Sequence, residues 1–146
     1  MLERGLARVT HGSGTPPKLR AALRHAVLGG GARLRPKLCL AVARACDPST
    51  AGEALGGATL AAVALEFLHC ASLVHDDLPC FDDADMRRGR PSVHAAFGEP
   101  IAVLTGDGLI TGAFELLAQP EVDPRYLPQL LRCTARAVVA KFQNLK

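Results

Sequence analysis

Acidic and basic residues crowd into one short stretch of the chain, residues 75–91, which reads HDDLPCFDDADMRRGRP. It holds five aspartates followed by three arginines. Carboxylates packed together repel one another, and a divalent cation relieves that repulsion; hard oxygen ligands select magnesium, with manganese as the alternative. Arginine supplies planar pairs of N–H donors that match diphosphate oxygens. The stretch therefore predicts a site for a magnesium-bridged diphosphate, in which the metal stabilises negative charge on a leaving group.

The same residues also have ordinary interpretations. A solvated turn of mixed charge after a core helix would give a similar run, and such turns are commoner than metal sites. His69 lies in an apolar helical stretch, where a core histidine with a satisfied hydrogen bond is the usual finding. The glycine triplet at 29–31 more often stops a helix than cradles a phosphate. The order of residues around these positions must decide between a metal-diphosphate site and these ordinary interpretations.

The elements that position this cluster read as helices. A long apolar helix is predicted over residues 53–78, central to the fold and broken or kinked at Pro79. Other helical patterns begin at Leu19, at Pro36 and at residues 92, 101 and 126, and no stretch shows the two-residue alternation of a half-buried strand. The sequence thus predicts an all-α fold. Residues 1–17 are expected to form a flexible N-terminal arm before one helical domain over 18–146.

Composition narrows the class of protein. With 146 residues, 49% of them hydrophobic, the chain can bury one core. A net charge of +3 is too mild for a nucleic-acid surface and suits a small anionic ligand. The five cysteines are odd in number and lack a CxxC spacing, which disfavours a disulfide framework or a zinc site and favours the cytoplasm. The expectation is a protein without signal peptide or membrane span, since the longest apolar run is only residues 58–65.

Three features together resemble the trans-isoprenyl (polyprenyl) diphosphate synthases. DDLPCFDDADMRRGRP is similar to the bacterial form of that family's first aspartate-rich motif, which carries two extra residues within DDxxD. GGARLRP, residues 30–36, resembles the family's GGKRLRP loop, and His69 stands at the family's histidine position. The resemblance covers about residues 19–117. It implies an antiparallel helix bundle of the isoprenoid synthase type, of which this chain would be about half.

The resemblance also implies roles for individual residues. Asp76 and Asp82 would ligate magnesium with Asp77 in support, and Arg87 would contact an allylic diphosphate. Isopentenyl diphosphate would be held by Arg35, His69 and Arg88.

Product length in this family follows the side chains that precede the first aspartates. Ala71 and Ser72 lie five and four residues before Asp76, about 6–8 Å along a helix. Both are small, which resembles the geranylgeranyl-forming type and predicts a twenty-carbon product.

Several positions depart from the family pattern. Ala32 replaces the usual lysine, so a cationic contact to isopentenyl diphosphate is absent unless Arg33 turns to supply it. Asp76 and Asp82 are six residues apart and would not share a face of an ideal helix, so a bulge or kink at Pro79 must align them. The chain also lacks a second aspartate-rich motif, and the resemblance is expected to fade after Leu117.

Three functions are compatible with these residues. The first is a prenyltransferase that condenses isopentenyl diphosphate with allylic diphosphates, working as a homodimer or with a complementary synthase half. The second is a non-catalytic subunit or truncated remnant that binds magnesium-diphosphate without turnover. The third is a His-Asp phosphohydrolase, suggested by His75-Asp76, for which the further ligands are not evident.

Overall fold

The computed structural model describes residues 1–10, 14–47 and 56–142. Within these ranges the chain forms seven helices and one short hairpin, which confirms the predicted all-α class. The helices are α1 (Leu2–Thr10), α2 (Pro17–Leu28), α3 (Leu34–Cys46), α4 (Gly57–Asp76), α5 (Val93–Phe97), α6 (Glu99–Leu117) and α7 (Leu127–Phe142), and the strands are β1 (Met86–Arg87) and β2 (Arg90–Pro91).

The centre of the fold is the packing of α4 against α6. Phe67 and Leu60 of α4 and Leu109 of α6 are fully buried in one apolar cluster. Small residues let the two helices approach: a Cβ at Gly106 would lie 2.0 Å from the imidazole Nε2 of His75. Burial of these apolar side chains supplies the main driving force for the fold, about 1.5–3 kcal/mol for each large side chain.

Both central helices are also long and apolar enough to cross a membrane by length and composition. About half of each is buried inside the fold, 50% for α4 and 44% for α6. The core helix of a soluble protein passes the same test, so these two helices are weak evidence for a span.

The flanking helices largely follow the sequence patterns, with shifted ends. α3 begins at Leu34, so Pro36 lies within the first turn, where its missing N–H would be unpaired in any case. α4 ends at Asp76 rather than at residue 78, and its predicted start at residues 53–55 lies outside the described ranges. α7 runs over Leu127–Phe142, one residue later than its predicted start at Tyr126, and the last residues of the predicted helix, 143–145, are likewise outside the described ranges.

The N-terminal segment differs from the flexible arm predicted for residues 1–17. Residues 2–10 form α1, because Leu2, Leu6 and Val9 recur at helical spacing and pack on the core cluster. Leu6 is only 2% exposed. A Cβ at Gly5 would lie 2.5 Å from Val63 Cγ1, so α1 lies directly against α4. The prediction rested partly on Gly12, which falls in the undescribed residues 11–13.

The hairpin β1–β2 was not predicted from the sequence. Its strands have two residues each, too few to show a periodic pattern, and Arg87 pairs with Arg90. Arg88 and Gly89 in the turn have φ of +53° and +74°, the left-handed conformation required at both central positions of a type I′ turn. The hairpin docks on α2, where His25 Nε2 lies 2.8 Å from the carbonyl oxygen of Pro91.

All five cysteines are free thiols. Burial raises the pKa of Cys70 on α4 to about 11, and the nearby carboxylate of Glu66 adds to that rise. A thiol with such a pKa stays protonated near neutral pH and is a poor nucleophile. Cys70 therefore behaves as a core residue.

We predict that Leu6→Ala lowers the free energy of unfolding by about 2–5 kcal/mol, the usual result of removing a buried leucine side chain. Urea denaturation measures this change. Arg4→Ala, at an exposed position of the same helix, is the control and should stay within about 0.5 kcal/mol of the parent. Equal, small effects of both substitutions would show that α1 is not part of the core.

Candidate functional site

The aspartates lie where α4 ends and the chain turns back on itself. The amide of Asp82 donates to the carbonyl oxygen of Asp76 at 2.9 Å, and the amide of Asp83 donates to the carbonyl oxygen of Leu78 at 3.1 Å. Asp83 adopts φ of +48°, a left-handed conformation that aspartate tolerates better than most residues. The predicted kink at Pro79 is therefore a helix end followed by a return turn. This turn brings Asp82 beside Asp76 despite their separation of six residues.

Asp77, for which the sequence predicts a metal-supporting role, is buried and paired with an arginine. It is 2% exposed and forms an ion pair with Arg87 of β1. Arg87 Nε lies 3.1 Å from each carboxylate oxygen, and Nη2 donates to Oδ1. Hydrogen bonding to Asp77 raises the pKa of Arg87, and the charges of Asp76 and Asp82 add to the rise. Asp77 therefore anchors the hairpin, with Arg87 held beside the other two carboxylates.

Asp76 and Asp82 are the two carboxylates that the sequence predicts as magnesium ligands. Asp76 is partly buried and Asp82 is exposed. Within the described residues, no group of three or more histidine, cysteine or acidic side chains is arranged to hold an ion. Magnesium bound with nucleotides or diphosphates commonly takes one or two carboxylates and completes its shell with water and phosphate oxygens. The two side chains fit a magnesium ion that arrives with a diphosphate.

An apolar cavity of about 330 Å³ lies along α4 and is lined by Asp76, but not by Asp82. Asp76, Arg35 and His69 provide charged or polar groups in its lining. Ala71, fully buried, and Ser72, which donates from Oγ to the His69 carbonyl oxygen at 2.8 Å, form part of its wall. The remaining lining comes from Leu65, Leu68, His75 and Phe81, from Ile110 of α6 and from Thr134, Ala137 and Val138 of α7. Such a cavity suits a ligand with an anionic head and an apolar tail.

The glycine-rich loop before α3 holds Arg88. Arg88 Nη1 donates to the carbonyl oxygen of Gly30 at 2.6 Å. Gly31 has φ of +113°, and a Cβ there would lie 2.8 Å from Arg88 Cζ. A residue with a side chain would be strained and would also displace the guanidinium. The glycines thus do more than stop α2, because they let Arg88 lie flat against the loop that leads to Arg35.

Arg33 does not replace the missing lysine at position 32. Its Nη1 donates to the buried carboxylate of Glu66 and its Nη2 to the carbonyl oxygen of Val27, both at 2.5 Å. The guanidinium therefore points into the fold. No role was predicted for Glu66, although a lone carboxylate within the apolar run of α4 is a signal that a buried partner exists.

Two further residues near the aspartates, His75 and Phe81, have surroundings that the sequence did not predict. His75, the basis of the phosphohydrolase hypothesis, lies against α6, with Nε2 3.4 Å from the Val103 carbonyl oxygen and 3.6 Å from Asp107 Oδ1. Phe81, in the return turn, is 57% exposed and lines the cavity near Asp76. An exposed aromatic within a charged turn was the available signal for Phe81.

The sequence model of the polyprenyl synthetase family matches residues 16–143 of this chain. The chain belongs to the polyprenyl synthetase family. The match extends well past Leu117, so the expectation that the resemblance fades there was wrong: α7 is part of the family domain. Its side chains Thr134, Ala137 and Val138 line the cavity, which gives a structural reason for the continued similarity.

Individual relatives agree with the family assignment. A geranylgeranyl diphosphate synthase of Cereibacter sphaeroides is 57% identical over 125 residues, which cover 85% of this chain and 42% of that protein. The geranylgeranyl diphosphate synthase of Rhodobacter capsulatus is 56% identical over 105 residues, 71% of this chain and 35% of that protein. The crystal structure of a Zymomonas mobilis FPP/GFPP synthase superposes with a TM-score of 0.78 at 37% identity, covering 94% of this chain and 49% of that one. The chain thus spans less than half the length of these relatives.

We predict that Asp77→Asn lowers the free energy of unfolding by about 1–3 kcal/mol, because Arg87 loses its charged partner while the buried site stays the same size. Asp83→Asn is the matched control and should be neutral or slightly stabilising, since asparagine tolerates the left-handed backbone. Urea denaturation compares the two variants. If Asp77→Asn is as stable as Asp83→Asn, the ion pair does not hold the hairpin in place.

Proposed function

We propose that this chain forms the allylic-diphosphate site of a magnesium-dependent prenyltransferase that condenses isopentenyl diphosphate with allylic diphosphates. The observation that carries the proposal is an apolar cavity lined by Asp76, with Asp82 brought beside Asp76 by the return turn. A prenyl diphosphate has matching parts, an anionic head and an apolar tail. The names of the bacterial relatives favour geranylgeranyl diphosphate as the product of isoprenoid biosynthesis at this site.

The head of the allylic substrate is bound by carboxylates and an arginine acting together. Asp76 and Asp82 would hold magnesium together with the diphosphate. When bound, the ion would supply neutralisation of the negative charge on the diphosphate leaving group. Arg87 is oriented by Asp77, and its further N–H donors are directed to a phosphate oxygen. Manganese can serve in place of magnesium, because both prefer oxygen ligands.

The second substrate, isopentenyl diphosphate, is proposed to bind at Arg35, His69 and Arg88. Arg35 and His69 line the same cavity, and Arg88 is hydrogen-bonded to the loop that precedes Arg35. Ala32 supplies no charge there, and Arg33 is committed to Glu66. The proposed site therefore relies on fewer cations than the family pattern implies.

Product length is set by how far the tail can extend along α4. Ala71 is placed about 7.5 Å from Asp76 by helical rise, and Ser72 about 6 Å. Both side chains are small, so the cavity continues past them toward Leu68. We propose a twenty-carbon product with its floor beyond these two residues.

Pairing with a second subunit is part of the proposal. Leu34, Leu38 and Val42 of α3 are 69%, 67% and 54% exposed and lie four residues apart, an apolar ridge that favours association. The partner is a second copy or a complementary synthase half, in the cytoplasm. A non-catalytic subunit that binds magnesium-diphosphate without turnover is the second candidate, because among the described residues no group of three or more metal-binding side chains is arranged to hold an ion. Product formation from isopentenyl diphosphate separates the two functions.

We predict that the double substitution Asp76→Ala with Asp82→Ala weakens magnesium-dependent binding of an allylic diphosphate by more than about tenfold, since both metal ligands are lost. Titration calorimetry with geranyl diphosphate, with and without magnesium, measures this. Asp123→Asn, an exposed aspartate paired with Arg125 far along the chain, is the control and should bind like the parent. Unchanged affinity of the double variant would refute the metal site.

We predict that Ala71→Tyr weakens binding of farnesyl diphosphate by about tenfold or more while dimethylallyl diphosphate binds as before, because a large side chain fills the cavity below the head group. Ser72→Ala keeps the cavity open and serves as the control. Circular dichroism confirms that each variant folds. Equal losses for the long and the short substrate would place the floor elsewhere.

A further inference from the structure

The buried glutamate of α4 is not used by the proposed chemistry. Glu66 is 2% exposed and sits among Val63, Phe67 and Cys70, which are all buried. A buried carboxylate is unfavourable unless a charged partner and hydrogen bonds compensate for its lost hydration. Arg33 provides that compensation through Nη1, and no other charged side chain is recorded in contact with Glu66 within the described residues.

Arg33 joins three elements at one point. Its Nη2 donates to the carbonyl oxygen of Val27 at the end of α2, its Nη1 reaches the middle of α4, and its own backbone begins α3. The backbone there is strained, with φ of +54° at Arg33 after +96° and +113° at Gly30 and Gly31. A left-handed conformation at a non-glycine residue persists only where its surroundings enforce it.

Packing alone holds α3 weakly. Pro36 is the one buried residue of that helix, and most of its other apolar side chains face solvent. The ion pair between Arg33 and Glu66 is therefore a specific tie at the N-terminus of α3. Arg35 follows two residues after Arg33, and His69 follows one helical turn after Glu66. The ion pair therefore restricts the distance between Arg35 and His69, which both line the cavity.

We propose that the Arg33–Glu66 ion pair is a positioning device that sets Arg35, and through the Gly30 carbonyl also Arg88, at the distance from His69 that one diphosphate requires. This inference rests on the proposed function, specifically on the isopentenyl diphosphate site. Arg33 and Glu66 are positioning residues and contact no substrate. The allylic head is proposed to be held by Asp76, Asp82 and Arg87, which are fixed by the return turn and by the Asp77–Arg87 ion pair rather than by the tie.

The test compares two ligands in one set of variants. Titration calorimetry measures the affinity of the chain for isopentenyl diphosphate and, separately, for geranyl diphosphate with magnesium. Glu66→Gln should weaken isopentenyl diphosphate binding by about tenfold, the effect of one weakened charge-assisted contact, while geranyl diphosphate changes less than about twofold. Glu121→Gln, which breaks an exposed pair with Arg8, is the matched control and should change neither affinity.

A double variant separates positioning from stability. Replacing a buried ion pair by apolar side chains of similar volume is often neutral or stabilising. Arg33→Met with Glu66→Leu should therefore retain the parent's melting temperature and still bind isopentenyl diphosphate about tenfold more weakly. Recovery of full affinity in this folded double variant would overturn the proposal, and so would equal losses for both ligands.

Failure of the proposed function gives a different result. If the parent chain binds neither diphosphate, both the function and the positioning role are wrong. If the parent binds both and Glu66→Gln binds isopentenyl diphosphate equally well, only the positioning role is wrong.

Discussion

The site depends on the burial of α4 against α6. α4 carries Glu66, His69, Ala71, Ser72 and Asp76, and Asp77 follows directly after its last residue. Because Leu60, Val63 and Phe67 are buried on the core side, the helix cannot rotate without exposing them to water. That constraint fixes which side chains face the cavity. The loop before α3 contacts this helix through Glu66, the return turn follows its C-terminal end, and the hairpin is held by Asp77 and by α2.

The charges of the site fall into two groups with different physical tasks. Glu66 and Asp77 are buried and paired with Arg33 and Arg87, so they hold backbone segments in place. Asp82 is exposed and Asp76 is partly buried, and these two are the proposed magnesium ligands. Removing water from a carboxylate is unfavourable, so burial restricts the first group to protein partners. Adjacent aspartates of one motif thus differ in exposure, and the proposed metal ligands are the more exposed ones.

The sequence predicted much of this arrangement, and the misses have physical causes. The helices were recognisable from apolar spacing, and the aspartate stretch from its residue order. The docking of α1 was not predicted, because the glycines and prolines after it suggested a loop. The short apolar face of α1 is what packs it against the core. The pairing of Asp77 with Arg87, ten residues away, depends on a hairpin whose strands are too short to leave a periodic signal. The inward direction of Arg33 depends on a tertiary partner 33 residues along the chain.

The return turn after α4 places a constraint on how this segment can vary. Its closure uses main-chain groups, the amides of Asp82 and Asp83 and the carbonyl oxygens of Asp76 and Leu78. Pro79 and Cys80 at its apex are exposed, so their side chains can be exchanged without loss of these hydrogen bonds. An insertion or deletion of one residue would instead shift Asp82 out of register with Asp76. The composition of this loop should therefore vary freely, whereas a change of one residue in its length should not be tolerated.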